Sequence, residues 1–278
     1  MATDELRAMK SITGHIETRQ TFPSEDELVR AYVDRSRPVI FTGVAGSLPA
    51  CGKWSLDWLE REHGSVFLTA KQLHVRDWIA KMKTAARQRE IEYLSVPLSA
   101  IPGLDADVPF PRYQRRSSLL RVELWVGPGG TRTPVHCDYS ENLFCQVAGR
   151  KRFQLYPPSA ASVFKPALDY PLYRDYALEY ADHELDGHGC PLDQLLAREM
   201  LKPTYDFVIE PGEVLYLPYR WYHRVPGLEP SFSASARWVT FGQLARRVPA
   251  VVAQLVRGEP RRTVARIQHN LERLRGAA

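Results

Sequence analysis

The chain has 278 residues, of which 44% are hydrophobic, so it is long enough to bury one large core or two small ones. Its formal net charge of +5 is uneven, because residues 241–278 hold eight arginines and two glutamates, a net of +6, and the other 240 residues therefore sum to −1. This distribution excludes a broad basic platform for nucleic acid in the first 240 residues, so such a partner would need the basic tail or a local basic patch.

The start of the chain and its cysteines bear on where the protein works. The first residues, Met-Ala-Thr-Asp-Glu-Leu-Arg, lack the basic-then-apolar pattern of a signal peptide, and no apolar run is long enough to span a bilayer. The four cysteines form no CxxC pair, so structural disulfides are not expected. We therefore expect a soluble intracellular protein without a membrane partner, cytoplasmic, with the nucleus left open.

The first ninety residues predict helices and one short strand. Ser24 and the acidic residues after it are typical of a helix start, and this helix is expected to run through Tyr32. Val39-Ile40-Phe41 predicts a short buried strand. Ser55 is the expected N-cap of a second helix, and a third helix is expected over Val75 to Met82. Three aromatic residues are expected to pack these helices against a sheet: Trp54, Trp58 and Trp78.

Strand-like periodicity dominates from Ile91 onward. The segments with this pattern are 93–94, 119–126, 144–147, 152–156, 207–209, 214–217 and 232–238. Ala148-Gly149, between two of them, is a hairpin signal. Many short strands joined by Gly and Pro turns indicate a mainly β fold, a double-sheet jelly roll or double-stranded β-helix. We expect N-terminal helices and a C-terminal helical segment to flank this core.

A histidine and an aspartate lie two residues apart in the extended run from Thr131 to Asp138. Because side chains alternate along a strand, His136 and Asp138 point to the same side and can hold one metal ion. His223 ends a later strand, after a tight turn at Pro211-Gly212, and offers a third ligand. Two histidines and one carboxylate leave positions open on an octahedral ion, which suits Fe(II). The same ligands would serve a zinc hydrolase, and an isolated HxD pair often occurs by chance.

Several motifs occur in an order that resembles one known family. They are Arg37-Pro38-Val39-Ile40, Lys53-Trp54-Ser55-Leu56, Tyr93-Leu94, Leu124-Trp125-Val126-Gly127-Pro128, Thr133-Pro134-Val135-His136-Cys137-Asp138, Asn142-Leu143-Phe144-Cys145-Gln146-Val147, Gly149-Arg150-Lys151, and the block from Pro211-Gly212-Glu213 to Trp221-Tyr222-His223. Through them residues 20–240 resemble the small JmjC-type, cupin-fold 2-oxoglutarate oxygenases, most closely those that hydroxylate side chains. The resemblance implies Fe(II), 2-oxoglutarate as co-substrate and O2, with the two histidines and the aspartate as catalytic metal ligands.

The resemblance also implies which residues would hold 2-oxoglutarate. A buried carboxylate needs a cation and hydrogen-bond donors. In the family a lysine at the position of Lys151 does this for the distal carboxylate, helped by residues that match Thr133 and Tyr93. Asn142 matches an asparagine that contacts the co-substrate near the metal, and Ser235 falls where relatives carry asparagine or serine. On their own, Asn142 could be a turn residue and Lys151 a solvated charge at a strand end.

The expected activity is hydroxylation of an unactivated C–H bond in a protein, peptide or amino-acid side chain, carried out by residues 1–240. Residues 241–278 carry two amphipathic helical patterns separated by Gly258, and several JmjC hydroxylases dimerise through C-terminal helices, so a homodimer is expected. The alternative is that these helices pack back onto the barrel of the same chain. Two alternatives are a tRNA-base hydroxylase whose Arg-rich C-terminal segment grips phosphates, and a catalytically silent cupin interaction scaffold. A second metal site is a weaker possibility, because a fourth ligand is not evident beside His183, His188 and Cys190.

Overall fold

The structure is a computed structural model, and it describes residues 14–88, 94–111, 113, 117–161, 167–170, 174–176, 202–240, 242, 243 and 245. The strands, numbered in chain order, are β1 (Glu17–Arg19), β2 (Val39–Phe41), β3 (Phe67–Leu68), β4 (Leu73–His74), β5 (Leu94–Pro97), β6 (Ser117–Gly127), β7 (Arg132–Asp138), β8 (Glu141–Ala148), β9 (Lys151–Tyr156), β10 (Ala167–Tyr170), β11 (Arg174–Tyr176), β12 (Tyr205–Ile209), β13 (Val214–Leu217), β14 (Tyr222–Pro226) and β15 (Ser231–Thr240). The α-helices are α1 (Glu25–Leu28), α2 (Ala50–Lys53), α3 (Leu56–His63) and α4 (Val75–Gln88).

Two sheets form the body of the molecule. One has seven strands in the order β1–β2–β13–β8–β15–β6–β5, and the other has six in the order β10–β11–β7–β14–β9–β12. Apart from the parallel β1–β2 pair, neighbouring strands within these two sheets are antiparallel. Buried apolar residues from both sheets pack together in one interior cluster, which joins residues such as Phe144 and Leu215 of the first sheet to Phe153 and Ile209 of the second. The predicted double-sheet jelly roll is confirmed.

The predicted hairpin around Ala148-Gly149 is wrong. The chain leaves β8 in the seven-stranded sheet and enters β9 in the six-stranded sheet, so the two strands are not paired. The turn is nonetheless tight, because Gly149 has φ of +68° and a side chain there would meet the backbone oxygen of Pro230. A short Gly-containing turn is thus a local signal that fits both a hairpin and a crossing between sheets.

The N-terminal helices start where the sequence predicts. The Oγ of Ser24 accepts the backbone N–H of Glu27 at the start of α1, and α1 continues as a wider helical turn through Val29–Val33. The Oγ of Ser55 caps α3 in the same way by accepting the N–H of Trp58. The third predicted helix corresponds to α4, which begins at Val75 as predicted and continues past Met82 to Gln88.

These helices cover the outer face of the seven-stranded sheet. Trp54 and Trp78 are buried against it, and Trp58 is half-buried at the same cluster. Asp107 anchors this layer, because its carboxylate accepts hydrogen bonds from Trp54 Nε1 and Lys53 Nζ, each 2.8 Å from Oδ2. The seven-stranded sheet is therefore buried on both faces: the helices cover its outer face, and its inner face lines the interior opposite the six-stranded sheet. No helix of the described residues is long and apolar enough to cross a membrane.

Candidate metal centre and co-substrate site

Three side chains from two neighbouring strands meet on the inner face of the six-stranded sheet. His136 and Asp138 lie on β7, and His223 lies on β14 as the cross-strand partner of His136. The Nε2 atoms of His136 and His223 are each 3.9 Å from an oxygen of Asp138, and the two imidazole centroids are 4.0 Å apart. His136, Asp138 and His223 expose only 2%, 3% and 4% of their surfaces. The structure brings the three predicted ligands together.

These donor atoms fit a single transition-metal ion. One potential ligand atom from each residue lies within 4.8 Å of the others. Metal bonds of about 2.1 Å place two donors on one ion at most about 4.2 Å apart, so the observed separations need only small shifts. The Nδ1 atom of His223 lies 3.0 Å from the backbone oxygen of Trp221. A proton on Nδ1 would be donated to that carbonyl, which leaves Nε2 for the metal.

A β-bulge in β7 decides which way Thr133 points. His136 pairs with His223 whereas Thr133 pairs with Val225, so β7 uses one residue more than β14 over this stretch. Strict alternation would turn Thr133 away from His136, but the extra residue returns it to the inner face, opposite Val225 of the interior cluster. Thr133 therefore lies on the side of the metal ligands, and its contact with a co-substrate stays a prediction.

Lys151 enters the same interior from the far end of β9. His223 pairs with Leu155 of β9, so about 13 Å of strand separates the backbone of Lys151 from the level of the metal ligands. Lys151 is 1% exposed, its Nζ lies 5.4 Å from the ring centroid of Phe144, and burial lowers its pKa from 10.5 to about 7. The alternative of a solvated strand-end charge is wrong. An anion beside Nζ would offset the burial, and the distal carboxylate of a dicarboxylate supplies one.

Asn142 and Ser235 meet between these two ends. The Oγ of Ser235 donates a 2.9 Å hydrogen bond to Oδ1 of Asn142, and both side chains are buried. Asn142 is not a turn residue, because it lies within β8 and pairs with Leu217 and Arg237 on the flanking strands. The expected role of both residues, contact with the co-substrate near the metal, stays a prediction.

Other predicted residues lie away from the site or outside the described part of the chain. Cys137 faces the opposite side of β7 and is buried in a separate cluster with Tyr222. Arg150 and Arg152 are exposed, which fits their alternation with the buried Lys151 along the chain, and each forms a surface ion pair. Four residues with predicted roles lie outside the described residues: Tyr93, His183, His188 and Cys190.

Sequence reasoning missed two charged residues at the metal centre. Arg237 on β15 places Nη2 3.1 Å from Oδ2 of Asp138, and its Nη1 lies 3.5 Å from Oε2 of Glu123 on β6. Both residues are buried. A signal was present, because Ser233, Ser235 and Arg237 alternate with apolar residues in β15. That alternation puts a charge on the inner face of the strand.

Two sheets that enclose a buried 2-His-1-carboxylate set define a metal-binding β-barrel protein of the cupin type. A family model described as the cupin-like domain matches residues 66–239, and the chain belongs to that family. Lysine-specific demethylase 8 of Xenopus tropicalis is 27% identical over 235 residues, which cover 78% of this chain and 51% of that protein. Jumonji C domain-containing protein 5 of Drosophila melanogaster is 29% identical over 240 residues, with 78% and 58% covered.

A human relative is covered over more of its length. The bifunctional peptidase and (3S)-lysyl hydroxylase JMJD7 is 24% identical over 253 residues, which cover 73% of this chain and 77% of that protein. Most of the other similar proteins are longer, and the chain spans about half the length of the first curated relatives it matches. The predicted resemblance to JmjC-type cupins is confirmed. JmjC oxygenases use Fe(II), 2-oxoglutarate and O2, and the described residues contain the His-Asp-His site for such a metal.

Proposed function

We propose that this chain is an Fe(II)- and 2-oxoglutarate-dependent dioxygenase that hydroxylates an unactivated C–H bond of a protein, peptide or amino-acid side chain. One observation carries the proposal: a buried 2-His-1-carboxylate set and the buried Lys151 share one interior and are separated along β9. A metal site alone would suit many reactions. The lysine narrows the choice to chemistry that uses a co-substrate with a distal anionic group.

Each part of the site has a distinct task in this proposal. Iron, when bound together with 2-oxoglutarate and O2, would supply the oxidising power that removes hydrogen from a C–H bond. The three metal ligands hold the ion by one face and leave the other positions open. Lys151 binds the distal carboxylate with help from Thr133 and Tyr93, and Asn142 contacts the co-substrate near the metal. Ser235 is also expected to contact the co-substrate, but its one hydroxyl proton is donated to Asn142 as long as that hydrogen bond is kept. Apolar residues around Lys151 keep water out, which strengthens its ion pair.

A zinc hydrolase or a catalytically silent scaffold would explain the three metal ligands but not the buried Lys151. Either could keep the three ligands, but neither needs a lysine in an apolar interior, where burial disfavours its charged form. A dicarboxylate co-substrate would give this buried lysine a task, because its distal carboxylate would stabilise the charged form. Lys151 therefore favours the oxygenase over both alternatives.

The names of the relatives favour a protein substrate. Those relatives are called lysine-specific demethylases and a lysyl hydroxylase. Removing an N-methyl group and hydroxylating a side chain both begin with oxidation of a C–H bond, so the chemistry proposed here is common to the two. The described body offers no comparable reason to prefer a tRNA base, which stays an alternative outcome of the experiment.

The test supplies purified protein with Fe(II), 2-oxoglutarate, O2 and fractionated lysate, and measures succinate together with mass changes in the protein and RNA fractions. We expect succinate release and a mass increase of about 16 Da, one oxygen atom, on a polypeptide. His136→Ala and Asp138→Ala should lose both signals, whereas His74→Ala, outside the site, should keep them. Unchanged succinate release in Asp138→Ala would refute the ligand assignment. A mass increase confined to RNA would select the tRNA alternative, and no succinate under any condition would favour the scaffold.

We also propose that residues 1–240 form the catalytic domain and that residues 241–278 form a helical segment that pairs two copies. The support is mostly in the sequence, because only residues 242, 243 and 245 of this segment are described. Two apolar stripes at helical spacing need a surface to cover them: Leu244, Val248, Val251, Val252 and Leu255 in the first, and Val264, Ile267, Leu271 and Leu274 in the second. Gln243 donates a hydrogen bond to the buried Glu141, which fixes the start of the segment on the barrel.

A further inference from the structure

Arg237 forms a buried bridge between a metal ligand and a second carboxylate. Its Nη2 lies 3.1 Å from Oδ2 of Asp138, and its Nη1 lies 3.5 Å from Oε2 of Glu123, which is fully buried. Its Nε donates a 3.1 Å hydrogen bond to Oγ of Ser235. The guanidinium carbon also lies 5.4 Å from the ring centroid of Trp125, within the range of a cation–π contact.

These contacts fix the guanidinium in one place and one orientation. A planar fork held by two carboxylates, a hydroxyl and an aromatic face has little freedom to rotate. The same hydroxyl donates to Asn142, so the arginine is linked to a predicted co-substrate residue through a single side chain. Arg237 therefore connects the metal ligand to the residues expected to face the co-substrate.

The two oxygens of Asp138 have different surroundings as a result. Oδ1 lies 3.9 Å from Nε2 of His136, whereas Oδ2 lies 3.9 Å from Nε2 of His223 and forms an ion pair with Nη2 of Arg237 at 3.1 Å. A guanidinium cation held this close to one carboxylate oxygen competes with a metal ion for that oxygen. The other oxygen remains the better ligand.

We propose that Arg237 is a positioning residue that holds Asp138 as a one-oxygen ligand, and that Glu123, Ser235 and Trp125 hold the arginine for this purpose. The inference rests on the proposed function, in which an octahedral ion must accept three protein donors, two atoms of the co-substrate and O2. A carboxylate that bound through both oxygens would take one of the last three positions. Arg237 thus keeps a coordination position open.

The test compares Arg237→Met, Arg237→Lys and the double variant Glu123→Gln/Arg237→Met with the wild type. In Arg237→Met the carboxylate of Glu123 would be left as an unpaired buried charge, which is itself destabilising. The double variant removes both charges, so it shows the effect of losing Arg237 without that unpaired charge. Arg152→Met is the matched control, because it removes an arginine–carboxylate pair from the surface of β9 in the six-stranded sheet, away from the metal ligands. Circular dichroism and thermal unfolding establish that each variant is folded.

The first measurement is the relaxation of water protons by Mn(II) bound at saturating metal, without co-substrate. The wild type should hold three waters on the ion and Arg237→Met two, so the enhancement should fall by about one third. The second measurement is the visible charge-transfer absorption of the anaerobic Fe(II)–2-oxoglutarate complex, titrated with co-substrate. We expect the midpoint for Arg237→Met to rise about tenfold or more, with Arg237→Lys between it and the wild type.

The outcomes are distinguishable. The positioning role is supported if both Arg237→Met and the double variant lose a metal-bound water and show a raised midpoint in the 2-oxoglutarate titration, while Arg152→Met shows neither change. Wild-type relaxation and a wild-type midpoint in either folded variant overturn it. If the wild type itself binds no Fe(II)–2-oxoglutarate complex, the proposed function fails, and the inference about Arg237 fails with it.

Discussion

Replacing Lys151 by methionine is expected to uncouple co-substrate binding from pH. Burial lowers the pKa of Lys151 from 10.5 to about 7, which corresponds to roughly 5 kcal/mol against the charged form in the free protein. In the proposed complex, the distal carboxylate of 2-oxoglutarate would bind the charged form of Lys151. Above pH 7 the co-substrate must therefore bring a proton with it, and its apparent affinity should fall about tenfold at pH 8 and about a hundredfold at pH 9.

Two assays check this coupling in the wild type and in Lys151→Met. Titration calorimetry in buffers of different ionisation enthalpy should show close to one proton taken up per 2-oxoglutarate at pH 9 in the wild type, and none in the variant. At pH 7 the variant should bind the co-substrate about ten to one hundred times more weakly, because it lacks a charge-assisted contact worth roughly 1.5–3 kcal/mol. Metal binding should survive. Lys71→Met, an exposed lysine, serves as the control.

The same shift predicts a stability change of defined sign. The folded protein releases the Lys151 proton near pH 7 while the unfolded chain keeps it up to about pH 10.5. Between these values the unfolded state binds more protons, so the unfolding free energy contributed by this group rises with pH by up to about 1.4 kcal/mol per unit. Lys151→Met should lose this slope and be more stable than the wild type at pH 7 and below.

Two results of the binding assays would refute the reasoning. One is an affinity of the wild type for 2-oxoglutarate that does not change with pH, and the other is proton uptake on 2-oxoglutarate binding that persists in Lys151→Met.

Three further predictions concern stability and assembly. Glu141→Leu should lower the free energy of unfolding, measured in urea, by about 3 kcal/mol or more. The Glu141 carboxylate accepts hydrogen bonds from Tyr216 Oη, the Tyr219 N–H and Gln243 Nε2, and these donors would lose their partner. A decrease of less than about 1 kcal/mol would contradict this. Gly149→Ala should lose about 2 kcal/mol through its positive φ and the contact with Pro230, whereas Gly46→Ala, with open space around it, should change by less than about 0.5 kcal/mol. In sedimentation, the intact chain should be a dimer at micromolar concentration and a chain ending at residue 241 a monomer; a monomeric intact chain would disprove the pairing.

The metal ligands could be predicted from sequence because they depend on local rules. His136 and Asp138 share a face through the two-residue period of a strand. The prediction that His223 ends the strand after the Pro211-Gly212 turn is wrong, because that strand, β13, ends at Leu217 in the seven-stranded sheet and His223 lies near the start of β14 in the six-stranded sheet. Thr133 shows where those rules stop. The period alone places it on the wrong face, and only the extra residue between it and His136, visible in the pairing with β14, turns it inward. The family resemblance predicted a role for Thr133, and the pairing of β7 with β14 explains why its side chain faces the interior.

Pairing between distant strands accounts for the two main failures. The Ala148-Gly149 turn gives the same local signal whether the next strand returns beside the first or enters the opposite sheet, and the choice depends on partners elsewhere in the chain. Arg237 was missed for a similar reason. Its inner position follows from alternation in β15, but its contact with Glu123 depends on the neighbouring strand β6, whose register no local pattern reveals.

The two buried cations of the interior differ in the way that their tasks require. A guanidinium stays protonated over the whole working range of pH, so Arg237 suits a carboxylate that belongs to the protein itself, that of Asp138, 3.1 Å away. An ammonium in an apolar setting can lose its proton, and burial lowers the pKa of Lys151 to about 7. An arginine at position 151 would remain charged at any working pH. If Lys151 binds 2-oxoglutarate as proposed, a cation that can become neutral fits a co-substrate that enters and leaves in every cycle.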